Sequence, residues 1–547
     1  MRRIAAPALL GVALAAAAAV LLSYSSGLAP FQDSWELLMN RRAFTAAALL
    51  DPHNEHIVLV PVLIEQLLLR AFGLTSTLPE HLVLVAMLLA TATLVFVYVR
   101  RRLGPWPALI AAVLLLFLGP AWQDLLWPFQ IGFVGSALFG VAMLLALERE
   151  GRRGDLAACA CLAAAVGFSS LGLSFALAAA VDVVQRHRAR GWRRAYVPAL
   201  PLALYGLWYA GWGHTAESHI SAHNALASPL YLVEGLAAAV GSLLALATIF
   251  DEAVGRSHWG YVVLALLAAL VVYGRVRGRE LSPRLWPVAA AAASFWLLAG
   301  LNAIPGREAW SSRYLYVGGL FVLLIAAELL RGVRWDRRAL ALAGAASVAV
   351  AAFNLVPLRE GRDFFRGQSV LTRSDLAAIE IARRTVDPAF ALAPEVAGTT
   401  FLNEIEAGEY LQAVEEYGSP AYTPAELAGA AETGRAQADV VLVHALPVSI
   451  EIGAGGSPAP RSGCIEVPAG AGADGDALPV GPGLTTVAFG AGGSGAIRLR
   501  RFARSGYPVA AEGIAAGSTA RLDVPADGSA RPWWLLVEAA GGATVCD

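Results

Sequence analysis

Apolar runs recur through the first two thirds of this 547-residue chain, and short arginine clusters separate them. About 20 apolar residues are enough to cross a bilayer as a helix. Within hydrocarbon no water pairs with backbone N–H and C=O groups, so a helix, which pairs them internally, is the form such runs take. Composition agrees: charged residues are 15% of the chain and hydrophobic residues 57%, against roughly 25% charged in an ordinary soluble domain. All 41 basic residues are arginine. They form no basic domain interleaved with aromatics, which excludes a nucleic-acid partner.

The arginine clusters orient the spans, because cytoplasmic loops carry the excess of basic residues. Arg2 and Arg3 place the N-terminus inside, and residues 4–22 lead outward. This run reads as a retained first helix, since no good cleavage site precedes the acidic loop that follows. Residues 81–99 return to Arg100–Arg102. Residues 57–69 then lie on the outer surface, too short to cross. Further crossings fall at 106–118, 131–147, 156–184 (two short helices), 196–212, 261–273, 285–301, 314–330 and 339–353. Residues 231–250 are kept outside or re-entrant, because a span there would put the cluster 275–284 on the wrong side. The sum is about eleven crossings, with the N-terminus cytoplasmic and the C-terminus outside the plasma (inner) membrane.

The chain divides into a membrane domain, 1–356, whose first outer loop is 23–80, and an extracytoplasmic domain, 357–547. In the second, residues 375–385 and 424–433 have helical character. Short runs at 440–444, 485–489, 496–502, 520–524 and 532–538 have strand composition between turn residues, with Gly/Pro/Ser-rich breaks at 453–460 and 470–475. The expectation is an α/β portion and then a β-sandwich, β-rich from about 440. Cys464 and Cys546 bracket the β-rich part and form a disulfide if the compartment is oxidising. Cys159 and Cys161 sit in a span as packing residues.

Ionisable residues beside apolar spans are costly and mark candidate sites. Residues 31–61 hold the densest group. Asp33 and Glu36 are three apart, on one helical face. They are suited to take a proton from an acceptor hydroxyl, or else belong to an amphipathic helix lying on the headgroups. His53, Asn54, Glu55 and His56 offer three readings: a divalent-metal site with weak spacing, contacts to a phosphate or sugar, or a polar helix start with Asp51 as N-cap and Pro52 at the first position. Trp122, Gln123, Asp124 and Trp127, with Gln130, combine aromatic faces with amide and acid groups. That combination suits a sugar, and equally an interfacial aromatic belt. Arg307, Arg313 and Tyr314 lie on the outer side, where a phosphate partner or a salt bridge to Glu308 or to a lipid headgroup explains the arginines. His214, His219 and His223 carry no usable spacing.

An acid in the first outer loop, juxtamembrane helices, the PHNEH patch, the SRYLY segment at 312–316 and an outer C-terminal domain together resemble the C-type integral-membrane glycosyltransferases. The resemblance covers the membrane part and is topological. The tail resembles actinobacterial membrane proteins more than any family of known substrate. The resemblance implies a polyprenyl-phosphate sugar donor, a first-loop acid (here Asp33, with Glu36) as base, inversion at the anomeric carbon, and a cell-envelope glycan or secreted protein as acceptor. Where that superfamily often has adjacent acids, this chain has Asp33 followed by Ser34. A lipid-glycan flippase or transporter would instead show mid-membrane polar residues and a repeat, and the polar weight here sits in outer loops. A non-catalytic envelope assembly protein is the third reading.

Overall fold

In the computed structural model, the residues described are 2–250, 258–392, 402, 405–453, 463–470, 477–527, 529 and 531–546. They form two compact units. The first comprises Met1–Ser26, Arg41–Leu68 and Leu78–Phe364, and the second Gly27–Asn40, Leu69–Thr77 and Phe365–Asp547. The segment 23–80 is therefore divided: residues 27–40 and 69–77 belong with the C-terminal part.

The first unit is helical. Among the described residues seven helices are long and apolar enough to cross a membrane: Ala5–Ser25, Leu78–Leu103, Pro128–Leu147, Ala222–Leu243, His258–Val276, Ser312–Leu329 and Arg337–Ala382. An eighth arises if Pro105–Leu116 and Gly119–Leu126, bent by 44°, count as one span. Leu285–Leu301 is apolar but shorter. Leu59–Phe72, with 14 residues, falls short of a span.

The bend has a packing cause. A Cβ on Gly119 would lie 1.6 Å from the carbonyl oxygen of Asn354, so only glycine lets this segment meet the long helix Arg337–Ala382. The stretch 120–130, expected as a loop, is wound into the short turns Gly119–Ala121, Trp122–Leu126 and Pro128–Gln130. Residues 231–243 are helical, and Leu246–Ile249 form a separate short helix after a break at 244–245. The longer helix, Ala222–Leu243, is N-capped by Ser221, whose Oγ accepts the Asn224 N–H. The polar residues His223 and Asn224 concealed its first turn, and the whole is long enough to cross. Residues 156–184 form two helices, Arg152–Phe168 and Gly172–Arg190.

At one end of this unit the charges of several helices interlock. Arg102 donates to Glu328 and Glu148. Tyr98 Oη and Ser282 Oγ also donate to Glu328, at 2.8 and 2.9 Å. Arg194 reaches Asp155 at 2.7 Å. Buried charge is tolerated when paired in this way, and removing one partner leaves the other uncompensated.

The second unit contains helix Asp33–Asn40, whose Trp35 packs edge-on to Tyr410 with centroids 6.4 Å apart. Phe31 meets Phe365 at 5.3 Å, and Leu74 donates its N–H to Tyr417 at 2.9 Å. Among the described residues nine strands follow: β1 Ser449–Gly453, β2 Ile465–Val467, β3 Leu478–Val480, β4 Gly483–Phe489, β5 Gly495–Arg500, β6 Val509–Ile514, β7 Thr519–Val524, β8 Trp533–Ala539 and β9 Ala543–Cys546. Two antiparallel sheets result, ordered β1-β7-β4-β9-β2 and β3-β8-β5-β6. Alternate residues such as Val487, Leu522, Leu535 and Val537 enter one shared apolar core, as period-2 patterning requires. Cys464 and Cys546 are joined by a disulfide beside the β2–β9 pair. The glycine-rich residues 454–460 and 471–475 lie outside the described set.

The run 440–444 is helix, not strand. It belongs to Glu432–Ala445, which buries Ala438, Val441, Leu442 and Ala445. That spacing of three and four residues is helical and overrides the β-propensity of consecutive valines. Asp439 on the same helix accepts the backbone N–H groups of Arg501, Phe502 and Ala503 at 2.9–3.1 Å.

Candidate functional site

In the first unit, residues 51–58 are irregular and are held by the main chain and by side chains from elsewhere in that unit. His53 and His56 exchange backbone hydrogen bonds at 3.0 and 2.9 Å, closing a tight turn. Asn54 at its corner has φ 49°, a left-handed conformation that asparagine tolerates well. The helical start anchored on Asp51 and Pro52 is thus replaced by a turn. Asp51 instead ends helix Ala46–Leu50, its N–H bonded to Ala47. Arg41 grips the carbonyls of Asp51 and Pro52 at 2.7 and 2.9 Å. Trp208 Nε1 donates to the Leu50 carbonyl at 2.7 Å, and Ser170 Oγ to that of Glu55 at 3.2 Å.

The turn separates the two histidines. His53 is buried, its ring edge-on to Phe129 at 5.1 Å, while His56 sits against Phe133 at 5.6 Å. They do not share a helical face. Among the described residues no three His, Cys, Asp or Glu side chains gather as a metal site.

Glu55 meets Arg307, whose Nη1 lies 2.9 Å from both carboxylate oxygens. His56 Nε2 is 3.7 Å from Glu55 Oε1. Burial works to raise the Glu55 pKa, but His56 and Arg307 outweigh it and hold the carboxyl below its ordinary range. Burial pushes His56 down to about 4, against the pull of Glu55 and with the help of His53, Arg307 and Arg313. At neutral pH the group is therefore an ionised carboxylate, a guanidinium and a neutral imidazole. His56 Nδ1 has no hydrogen-bond partner among the described residues.

Glu55 and His56 open on a cavity of about 150 Å³. Glu55, His56, Ser170, Ser174, Asn302 and Tyr314 provide polar edges, and Phe133, Phe295 and Leu298 are among its apolar walls. Ser174 Oγ is buried and, like His56 Nδ1, lacks a partner. Two unpaired buried polar atoms on one small cavity are what a ligand with its own donors and acceptors would satisfy.

The surrounding loops hold this edge. Asn302 Oδ1 accepts the His219 N–H at 3.2 Å, and Asn224 Nδ2 donates to the carbonyls of His219, Leu301 and Ala303. The histidine-rich loop therefore contributes here through its backbone. Arg313 donates to the Gly306 carbonyl at 2.8 Å, while Glu308 accepts from the Gly306 N–H and from Ser311 Oγ. The salt-bridge partner of Arg307 is Glu55 rather than Glu308.

Gln123 accepts the Arg313 N–H at 3.2 Å and takes Ser312 Oγ as partner for its own N–H, docking Trp122–Leu126 on helix Ser312–Leu329. Asp124 is fully buried, with the Tyr316 backbone N–H and the Arg313 guanidinium both acting on its carboxylate. Trp122 packs on Gly361 and Phe364, and buried Trp127 stacks on Phe129 at 5.2 Å. Neither tryptophan lines the cavity. Asp33 and Glu36 belong to the second unit, half-buried in the first turn of helix Asp33–Asn40.

No protein-family model matches the chain, and no curated protein matches it closely enough to carry an argument. The chain's own geometry carries the functional reading. Sequence reasoning named Glu55, His56, Arg307 and Tyr314 but missed Ser170, Ser174, Asn224 and Asn302. Single polar residues inside or beside apolar runs carry no spacing signal. Only the GFSS break at 167–170 marked one of them.

Proposed function

We propose that this chain is a polytopic membrane glycosyltransferase. It would move a sugar from a polyprenyl-phosphate donor to a cell-envelope glycan or secreted protein. The observation that carries the reading is the small cavity in an apolar helical unit where a carboxylate, paired to a guanidinium behind it, a neutral imidazole and hydroxyls meet aromatic walls. The proposal keeps about eleven crossings, a cytoplasmic N-terminus and an extracytoplasmic second unit. Support comes from the arginine clusters and from the Cys464–Cys546 disulfide, which suits an oxidising compartment.

The donor phosphate competes with Glu55 for Arg307, since a guanidinium pairs as well with phosphate as with carboxylate. Losing that cation raises the basicity of Glu55. An acceptor hydroxyl then attacks the anomeric carbon, its proton passing to Glu55 as the carbon–oxygen bond to phosphate breaks. The departing phosphate carries the negative charge, stabilised by Arg307 and Arg313. Inversion follows from the single displacement. Asp33, the base that the first-loop resemblance implies, is the competing assignment.

The test is transfer from a panel of polyprenyl-phosphate sugars to envelope extract by purified full chain. Wild type is run beside Glu55→Gln, Asp33→Asn and Arg307→Gln. Loss of roughly 10²–10⁴-fold in Glu55→Gln is expected for a general base. The same loss in Asp33→Asn alone moves the base to Asp33. No transfer from any donor rejects the enzyme and favours the flippase or the assembly protein.

A further inference from the structure

A second recess lies at the other end of helix Ser312–Leu329 from Arg313 and Tyr314. It is a groove of about 370 Å³ with walls from Ala222–Leu243, His258–Val276 and Ser312–Leu329. Its lining is aliphatic (Leu236, Val240, Leu267, Val322 and Ile325 among others) until its end, where Arg275 and Arg279 stand. Leu267 and Leu270 on its wall are 45% and 65% exposed, so the groove opens sideways along apolar helices. Helix His258–Val276 meets Ala222–Leu243 at Gly260, where a Cβ would strike the Ala237 carbonyl at 2.3 Å. That close approach anchors the peripheral helix near its start.

The arginine end is built. Arg279 Nη2 donates to the carbonyls of Leu329 at 2.7 Å and Arg331 at 3.2 Å, and Arg275 Nη1 donates to the Arg279 carbonyl at 2.8 Å. Both residues line the groove and are exposed. The turn from Arg275 to Arg284 carries four arginines and one acid, Glu280. Basic recesses between membrane helices at the arginine-rich face fit anionic lipid headgroups. An aliphatic trough of this size fits a hydrocarbon chain.

We propose that the groove holds an anionic glycerophospholipid, one acyl chain along Leu236, Leu267 and Ile325 and its phosphate on Arg275 and Arg279. Charge complementarity selects this occupant over a zwitterionic lipid, and the lack of polar lining beyond the arginines argues against a polar solute. The site is separate from the Glu55 cavity and does not depend on what that cavity does.

The experiment is lipid retention measured by native mass spectrometry. Delipidated full chain is refilled with equimolar phosphatidylglycerol and phosphatidylcholine of identical acyl chains. Wild type is expected to retain the anionic lipid at least about fivefold over the zwitterionic one. Arg275→Gln is expected to bring that ratio towards one. Ala268→Trp, which fills the groove, and Leu270→Gln, on an exposed wall position, are expected to lose retention at unchanged melting temperature. Equal retention of both lipids by wild type overturns the proposal. So does full retention in Ala268→Trp and Leu270→Gln, or a wild-type dimer that Ala268→Trp dissolves, since a second copy would then be the occupant.

Discussion

Arg307 sets a single nitrogen, Nη1, 2.9 Å from both carboxylate oxygens of Glu55, across a sequence separation of 252 residues. The pair ties the turn after Ala46–Leu50 to the loop before Ser312–Leu329, and both side chains are mostly covered, 14% and 23% exposed. Breaking it leaves one charge without its partner. Arg307→Gln should cost about 1–3 kcal/mol, below the 3–5 of a fully buried pair because solvent screens part of it. Thermal unfolding of wild type against Arg307→Gln checks this. Glu55 is depressed below 4.5 in the fold, so its contribution is present above that pH and is lost as acid protonates the folded carboxylate.

His56 gives a second pH signature. Its folded pKa, about 4, lies below the ordinary 6.5. The unfolded chain therefore binds the extra proton between those values, and stability should fall as pH drops from 6.5 to 4. The full effect is up to about 3 kcal/mol. In His56→Gln the slope of melting temperature against pH should flatten in that window. An unchanged slope would place the titration elsewhere.

Gly119 should refuse a methyl group. With Asn354 O at 1.6 Å from the added carbon, Gly119→Ala must displace one helix from another, costing about 1–3 kcal/mol or more. Gly206, with nothing within 4 Å of the same position, serves as the control, and Gly206→Ala should stay within about 0.5 kcal/mol. Melting temperatures in one detergent decide between them.

In the second unit, Asp439 satisfies three successive backbone N–H groups. Asp439→Ala leaves them unpaired in a buried place, at about 1–3 kcal/mol each before relaxation. Hydrogen exchange at residues 501–503 should accelerate markedly while β7 stays protected. Uniform acceleration would mean global loss rather than a local cap.

The disulfide closes a sequence separation of 82 residues. Loop-closure entropy puts an upper bound of about 4–5 kcal/mol on its contribution. Reductant, or Cys464→Ser, should lower the unfolding temperature of the β sheets and leave the helical unit's transition in place.

Much of this was readable from the chain because hydrocarbon imposes a coarse rule: long apolar runs become helices, and their ends show where charge resumes. The rule fails where polarity is local. His223 and Asn224 masked the start of a long helix because Asn224 is spent on backbone carbonyls. The valines at 440–443 looked extended, yet the apolar positions around them follow a helical period. At the site, Glu55 and Arg307 were each visible as charges near a boundary. Their pairing was not, since nothing in either segment encodes a partner 252 residues away. Trp122 and Trp127 were attractive as sugar platforms, but aromatic residues fill gaps between helices just as readily, and here they do.

The turn at 53–56 closes on itself through its own main chain, and the grips on it from Arg41, Trp208 and Ser170 all fall on carbonyl oxygens. The side chains at positions 55 and 56 are therefore not needed to close the turn itself, and the Glu55–Arg307 pair is a tie added to it. Such a mount tolerates exchange of its cargo: a lineage can rewrite the reactive pair by point substitution without rebuilding the scaffold beneath it.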